Sequence, residues 1–278
     1  MALEHLIRRI LVSVDTAPSA RDRTGWAASL ADAFGAELTG VAAARPLIPS
    51  YSPLGDELLA YQPQIIEEAR RRVEAAVGIA RTNFEAANAP RAAWKSSLET
   101  DAVPFLLHQA GAADAIVLGR NGTGDACDAF IGVDPGDVIL QLGRPLLVVP
   151  PSATRFSAAR VAIAWKSSRE SRRAVADALP FLARADEVFV CAVGGDEAGP
   201  EAAAVVAYLS AHGLGAKAVA EPRHGRADSD AVFEIAERVD ATLLVAGAYG
   251  RSRFKEWVFG GVTRDILDHT PIPCLLSH

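Results

Sequence analysis

Cysteine, long apolar runs and sustained basic tracts are all scarce in this chain, and each shortage closes off a class of protein. Three cysteines among 278 residues, Cys127, Cys191 and Cys274, stand far apart and in no paired ligand spacing. That argues against a disulfide framework or a cysteine-based zinc site, and each thiol reads as a small buried hydrophobe or a free thiol. No stretch approaches the roughly 20 apolar residues that a bilayer-crossing helix needs. The apolar run behind Arg8 and Arg9 stops at Asp15, too short for a signal peptide. The expectation is a soluble, cytoplasmic protein of a reducing compartment with no membrane partner. Lys and Arg total 28 against 34 Asp and Glu, for a net charge of −6, and no Lys/Arg tract occurs, so a nucleic-acid partner is not expected.

The familiar catalytic signatures are missing too. No Gly-Lys-Ser/Thr ends a glycine loop, no Gly-x-Gly-x-x-Gly opens a helix, and neither Gly-x-Ser-x-Gly nor His-Glu-x-x-His appears. Phosphoryl transfer by a P-loop, hydride transfer and those kinds of hydrolysis therefore lose their sequence handles.

What is present is a repeat. "RILVSVDTAPSARD" from Arg9 corresponds to "RVAIAWKSSRESRR" from Arg160, and "DAIVLGRNG" from Asp114 to "DATLLVAGAYG" from Asp240. Gly132 falls on Gly260, Asp137 on Asp265 and Pro145 on Pro273 at a constant offset of 128, whereas Asp15 falls on Lys166 at an offset of 151. The first half thus carries about 23 additional residues, assigned to "RPLIPSYSPLGDELLAYQPQ" and read as a loop from its prolines and serines. The domains are expected at 1–152 and 158–278, with the boundary in "PPSATRFS".

In each half, short apolar runs alternate with amphipathic segments such as "SRRAVADALPFLARA" and "DSDAVFEIAERV". That pattern predicts an α/β fold of two tandem doubly wound domains, each a five-stranded parallel sheet of order 3-2-1-4-5 with helices on both faces. The final strands, "RPLLVVP" and "IPCLLSH", are expected to join the halves as a pseudo-dimer within one chain; a homodimer of the whole chain is also open.

In such a sheet, ligands collect beyond the carboxyl ends of the first and fourth strands, where strand order reverses. In the second half these ends are Lys166 and "LLVAGAYGRSRFKEWVFGGVTRDIL", a strand, a glycine-bracketed loop and a helix start. Closely approaching amides and a helix N-terminus suit a phosphate cradle.

The spacing Gly247-x-x-Gly250, nine residues, then Gly260 and a small residue resembles the nucleotide-binding signature of universal stress proteins, whose tandem members the repeat also resembles. The resemblance implies a stress-response protein that binds ATP, ADP or AMP, with or without Mg. It implies Val193 near the adenine, and Gly247, Gly250, Gly260, Gly261, Val262 and Thr263 around the phosphates and the following helix start. Lys166 replaces the family's first-strand acid, and Arg251 is either a phosphate partner or a solvated loop residue. Trp165 and Trp257 read as packing residues, with Trp257 also able to cover a nucleotide. His224 reads as a loop histidine.

The first half keeps Asp15, Gly119, Gly122 and Gly132, but Val133, Asp134, Pro135 and Gly136 follow. A carboxylate repels phosphate and proline offers no amide donor, so this half is expected to be degenerate. Asp265 and His269, four apart, read as a surface helix pair. The functional expectation is a sensor or switch with little turnover, an unknown protein partner and no catalytic or metal residues. The alternatives are a non-nucleotide interaction scaffold of the same fold and a slow ATP hydrolase.

Overall fold

The computed structural model describes residues 7–47, 62–120, 131–222, 227–250 and 261–278. The first half runs β1 (Arg9–Ser13), α1 (Ala20–Phe34), β2 (Glu37–Ala43), α2 (Gln62–Glu85), β3 (Ala92–Ser97), α3 (Ala102–Ala110), β4 (Ala115–Gly119), α4 (Pro135–Val138) and β5 (Leu146–Val149). The second repeats the order with β6 (Arg160–Trp165), α5 (Arg169–Leu182), β7 (Glu187–Val193), α6 (Ala198–Ala211), β8 (Lys217–Glu221), α7 (Asp228–Arg238), β9 (Leu243–Gly247), α8 (Gly261–His269) and β10 (Cys274–Ser277).

All ten strands form one sheet of order β3-β2-β1-β4-β5-β10-β9-β6-β7-β8. Within each half the pairing is parallel and follows 3-2-1-4-5. The halves meet at β5 and β10, which pair antiparallel with Cys274 opposite Val148 and Leu276 opposite Leu146. The palindromic order gives the chain an internal pseudo-twofold axis at that seam.

The central strands are continuous apolar runs because both of their faces are covered. Helices α1, α2, α5 and α6 pack on one face, around Trp26, Phe84, Phe181 and Leu209. On the other, α3, α4, α7 and α8 pack around Leu106, Val138, Ile235 and Ile266. Among the described residues, no helix is long and apolar enough to cross a membrane.

Two details depart from the sequence reading. The inserted segment, taken as a loop, is already helical at Gln62–Gln64; most of the rest of it lies outside the described residues. The solvent side of α2 carries four i,i+4 pairs, Arg71–Glu67, Arg72–Glu68, Arg70–Glu74 and Arg81–Glu85, which support a helix there. The stretch between the halves is packed as well as connecting. Phe156 sets its ring edge-on to Trp26 at 5.5 Å and to Phe181 at 6.2 Å, and its N–H donates to Ser29 Oγ at 2.7 Å.

Candidate functional site

In the second half, the carboxyl ends of β6, β7 and β9 open into a cavity of about 840 Å³. Lys166, Val193, Gly247, Gly250, Gly261, Val262 and Thr263 all line it. Arg251 and Gly260 lie outside the described residues, as do His224 and Trp257. The topology accounts for this convergence: β6 lies between β9 and β7, pairing Ala164 with Ala246 and Trp165 with Ala192.

The local chemistry shapes the wall. Ser168 caps α5, its hydroxyl accepting the Ser171 N–H at 3.2 Å, which pins the chain as it leaves β6. Gly247 lets the start of α5 sit directly on the end of β9: a Cβ there would lie 2.5 Å from Ser171 N and 2.6 Å from the Glu170 carbonyl carbon. Packing therefore requires this glycine before any ligand does. Beyond it, Tyr249 holds φ at 53°, a left-handed conformation uncommon for a bulky side chain. Its N–H donates to Thr263 Oγ1 at 3.1 Å. The Thr263 hydroxyl thus ties the glycine turn to the first turn of α8 and still has its own proton to donate.

Trp165 on the wall, and Glu170 beside the glycine turn, had no motif to announce them. Trp165 lines the cavity and packs on the α5/α6 side, with its indole N–H buried and without an acceptor. Glu170 is 5% exposed, and its Oε2, also without a partner, lies 3.5 Å from where a Gly250 Cβ would stand. Burial pushes the Glu170 carboxyl up. Its own backbone N–H, the Ser168 hydroxyl and the positive charges of Arg169 and His278 together outweigh that, leaving it below the ordinary carboxylate value. The only sequence signal for Glu170 was an acid among the arginines of "SSRESRR".

The surface pairing of Asp265 with His269 is corrected. Asp265 turns toward α7, where its Oδ2 accepts the Ser229 hydroxyl at 2.5 Å, while His269 is exposed. A serine at the start of α7 and a carboxylate within α8 carry no periodic signal that would reveal such a contact.

The same corner of the first half is built differently. Asp15 and Arg23 are 8% and 4% exposed and form an ion pair of 3.0 Å. Arg23 Nε also donates to the Ser13 carbonyl, and Asp15 Oδ1 accepts the Ala17 N–H at 3.0 Å. The guanidinium lies over the end of β4, so that a Cβ on Gly119 would stand 2.4 Å from Nη1. At the position of Asp134, the carboxylate caps the single turn of α4, accepting the Gly136 N–H at 2.6 Å. Gly122 lies outside the described residues.

Comparison with known proteins follows this geometry. The sequence profile of the universal stress protein family matches residues 6–150 and again 158–278. The chain belongs to the universal stress protein family. It is a tandem member, with the doubly wound fold in each half. A universal stress protein from Archaeoglobus fulgidus DSM 4304 is 15% identical, is matched over 97% of each chain and superposes with a TM-score of 0.68. A functionally unknown protein from Pseudomonas aeruginosa PAO1 is 14% identical over 99% of this chain and 93% of its own, with a TM-score of 0.59. At these identities the likeness extends to the fold alone. No curated protein matches the sequence.

Proposed function

We propose that the second-half cavity binds an adenine nucleotide, ATP or ADP, and that this universal stress protein works as a nucleotide-responsive sensor or switch with at most slow turnover. The observation that carries the reading is the convergence of the β6 end, the glycine turn after β9 and the first turn of α8 on one cavity of about 840 Å³. A volume of that size lies in the range of small-molecule sites. Amides at Gly250 and the start of α8, with the Thr263 hydroxyl, supply donors for phosphate oxygens. Val193 at the end of β7 supplies an apolar wall for the base.

These donors meet ground-state phosphates as readily as a transition state, which favours binding over rate. Rapid hydrolysis needs a group positioned to orient water, and Asp265 is engaged by Ser229. Any magnesium would arrive with the phosphates, since the described residues contain no cluster of His, Cys, Asp and Glu able to hold a metal ion.

Calorimetric titration of the full chain with ADP and ATP tests the reading. One site per chain is expected, lost in Gly250→Asp, which sets a second carboxylate beside Glu170. Two sites per chain, or unchanged binding in that variant with its circular dichroism intact, would overturn it.

A further inference from the structure

We infer that the first half is the positioning partner of the second-half cavity: Arg120 and the start of α4 hold the two pieces, α8 and the turn at Tyr249, from which the cavity presents its phosphate donors. This rests on the nucleotide reading above and gives a role in that site to the half whose own corner is filled by the Asp15–Arg23 pair.

Arg120 and Tyr249 reach across the seam in opposite directions. Arg120, the residue after β4, donates from its Nη1 to the Thr270 carbonyl at 3.0 Å. Thr270 is buried and directly follows α8, its N–H donating to the Ile266 carbonyl at 3.1 Å. A guanidinium at that carbonyl meets the negative end of the helix dipole, which favours a cation. From the other side, Tyr249 leaves the cavity wall and places its hydroxyl 3.5 Å from where a Gly136 Cβ would stand, with Leu267 Cδ1 of α8 3.7 Å from the same point. Asp134 holds that point in place, because its carboxylate accepts the Gly136 N–H at 2.6 Å.

Both contacts lie one step from the donors. Helix α8 has nine residues, a rod of about 13 Å, so fixing its carboxyl end against Arg120 also sets where Gly261, Val262 and Thr263 meet the cavity. Thr263 Oγ1 accepts the Tyr249 N–H at 3.1 Å, which ties the two supported pieces to each other. A bulky residue keeps a left-handed φ only where its surroundings over-determine it. For Tyr249, at 53°, the phenol seated against α4 is such a contact, and Gly250 takes its direction from the residue before it. The arginine tie runs one way. The repeat offset of 128 puts Ala248 at the place of Arg120 and Leu142 at that of Thr270, and a methyl group donates nothing. Arg120 is not part of the cavity wall, so a change there reaches a ligand only through the protein, by way of α8.

Equilibrium titration of the full chain with ADP tests this in three variants. Arg120→Met keeps an extended side chain and drops its donors, and should bind ADP about tenfold more weakly. Arg120→Lys, which keeps a cation for the Thr270 carbonyl, should recover most of that loss. Tyr249→Gly should also bind about tenfold more weakly, although glycine takes a left-handed φ more readily than tyrosine; if backbone conformation alone mattered, it would bind at least as well as the unaltered chain. Hydrogen exchange in ligand-free Arg120→Met should rise at the Tyr249 amide and the first turn of α8 and stay unchanged in β6 and β7. ADP affinity in Arg120→Met within about twofold of the unaltered chain, or exchange raised equally throughout both halves, would overturn the inference and leave the nucleotide reading standing. An unaltered chain silent toward ADP would overturn both.

Discussion

The two halves of this chain share a sheet order and part company at one corner. In the first, Asp15 and Arg23 form a buried pair that fills the space beside Gly119. In the second, the corresponding positions are Lys166 and Ala174, and a cavity opens over the strand ends. A lone acid at the end of a strand can meet a ligand; the same acid locked to an arginine from its own helix serves the fold. Similar glycine spacings therefore carry different meanings, decided by a residue eight positions further along the chain.

The comparison can be broken most severely at Arg23. Arg23→Ala leaves Asp15 buried without its counter-charge and should cost about 3–5 kcal/mol. Denaturant unfolding should show it, with Asp15→Leu/Arg23→Met recovering most of the loss. A cost below about 1 kcal/mol would mean that the pair does not hold the first half together.

Gly247→Ala comes next. The added methyl meets the backbone of α5 and not a flexible side chain, so about 1–3 kcal/mol of overpacking is expected, with nucleotide binding lost as α5 shifts. Gly250→Ala, whose nearest neighbour would be 3.5 Å away, should leave stability within about 0.5 kcal/mol. Equal costs at the two glycines would contradict the packing account.

Ser229→Ala removes the hydroxyl that Asp265 accepts, with an expected loss of about 1–2 kcal/mol in thermal or denaturant unfolding. The smallest effect concerns acid. The Glu170 pKa is depressed in the folded chain, so its stabilising share is complete above the ordinary carboxylate value of about 4.3 and is lost as pH falls through the folded value. In Glu170→Gln, the decline of stability below about pH 4.3 should be shallower. An unchanged slope would show that Glu170 is not among the groups driving acid unfolding.

Much of this was readable in the residues. Apolar runs such as "RVAIAW" and "LLVAG", alternating with helical segments, carried the sheet and its order, because strands buried on both faces need such runs. The repeat offsets located the glycine turn and the strand ends that flank the cavity. What escaped was tertiary. Arg23, Glu170 and Asp265 look like ordinary helix residues, and only the docking of α1, α5 and α8 decides whether each meets a partner, a glycine or solvent. The helical start of α2 was hidden by Pro63, which a first helical turn tolerates. Cys191 and Cys274 fall as read among buried hydrophobes, while Cys127 lies outside the described residues: burial pushes the Cys191 thiol up to about 12 and raises that of Cys274, which keeps both protonated at neutral pH.

The antiparallel junction of β5 with β10 has a consequence beyond architecture. Two separate, identical chains joined through an isologous interface must carry every substitution twice, so that filling one pocket fills both. Here the partners are covalently continuous, and their association is intramolecular, set by an effective concentration and insensitive to dilution. Freed from that symmetry, one half can fill the corner beside Gly119 with the Asp15–Arg23 ion pair, while the other keeps a cavity over its strand ends.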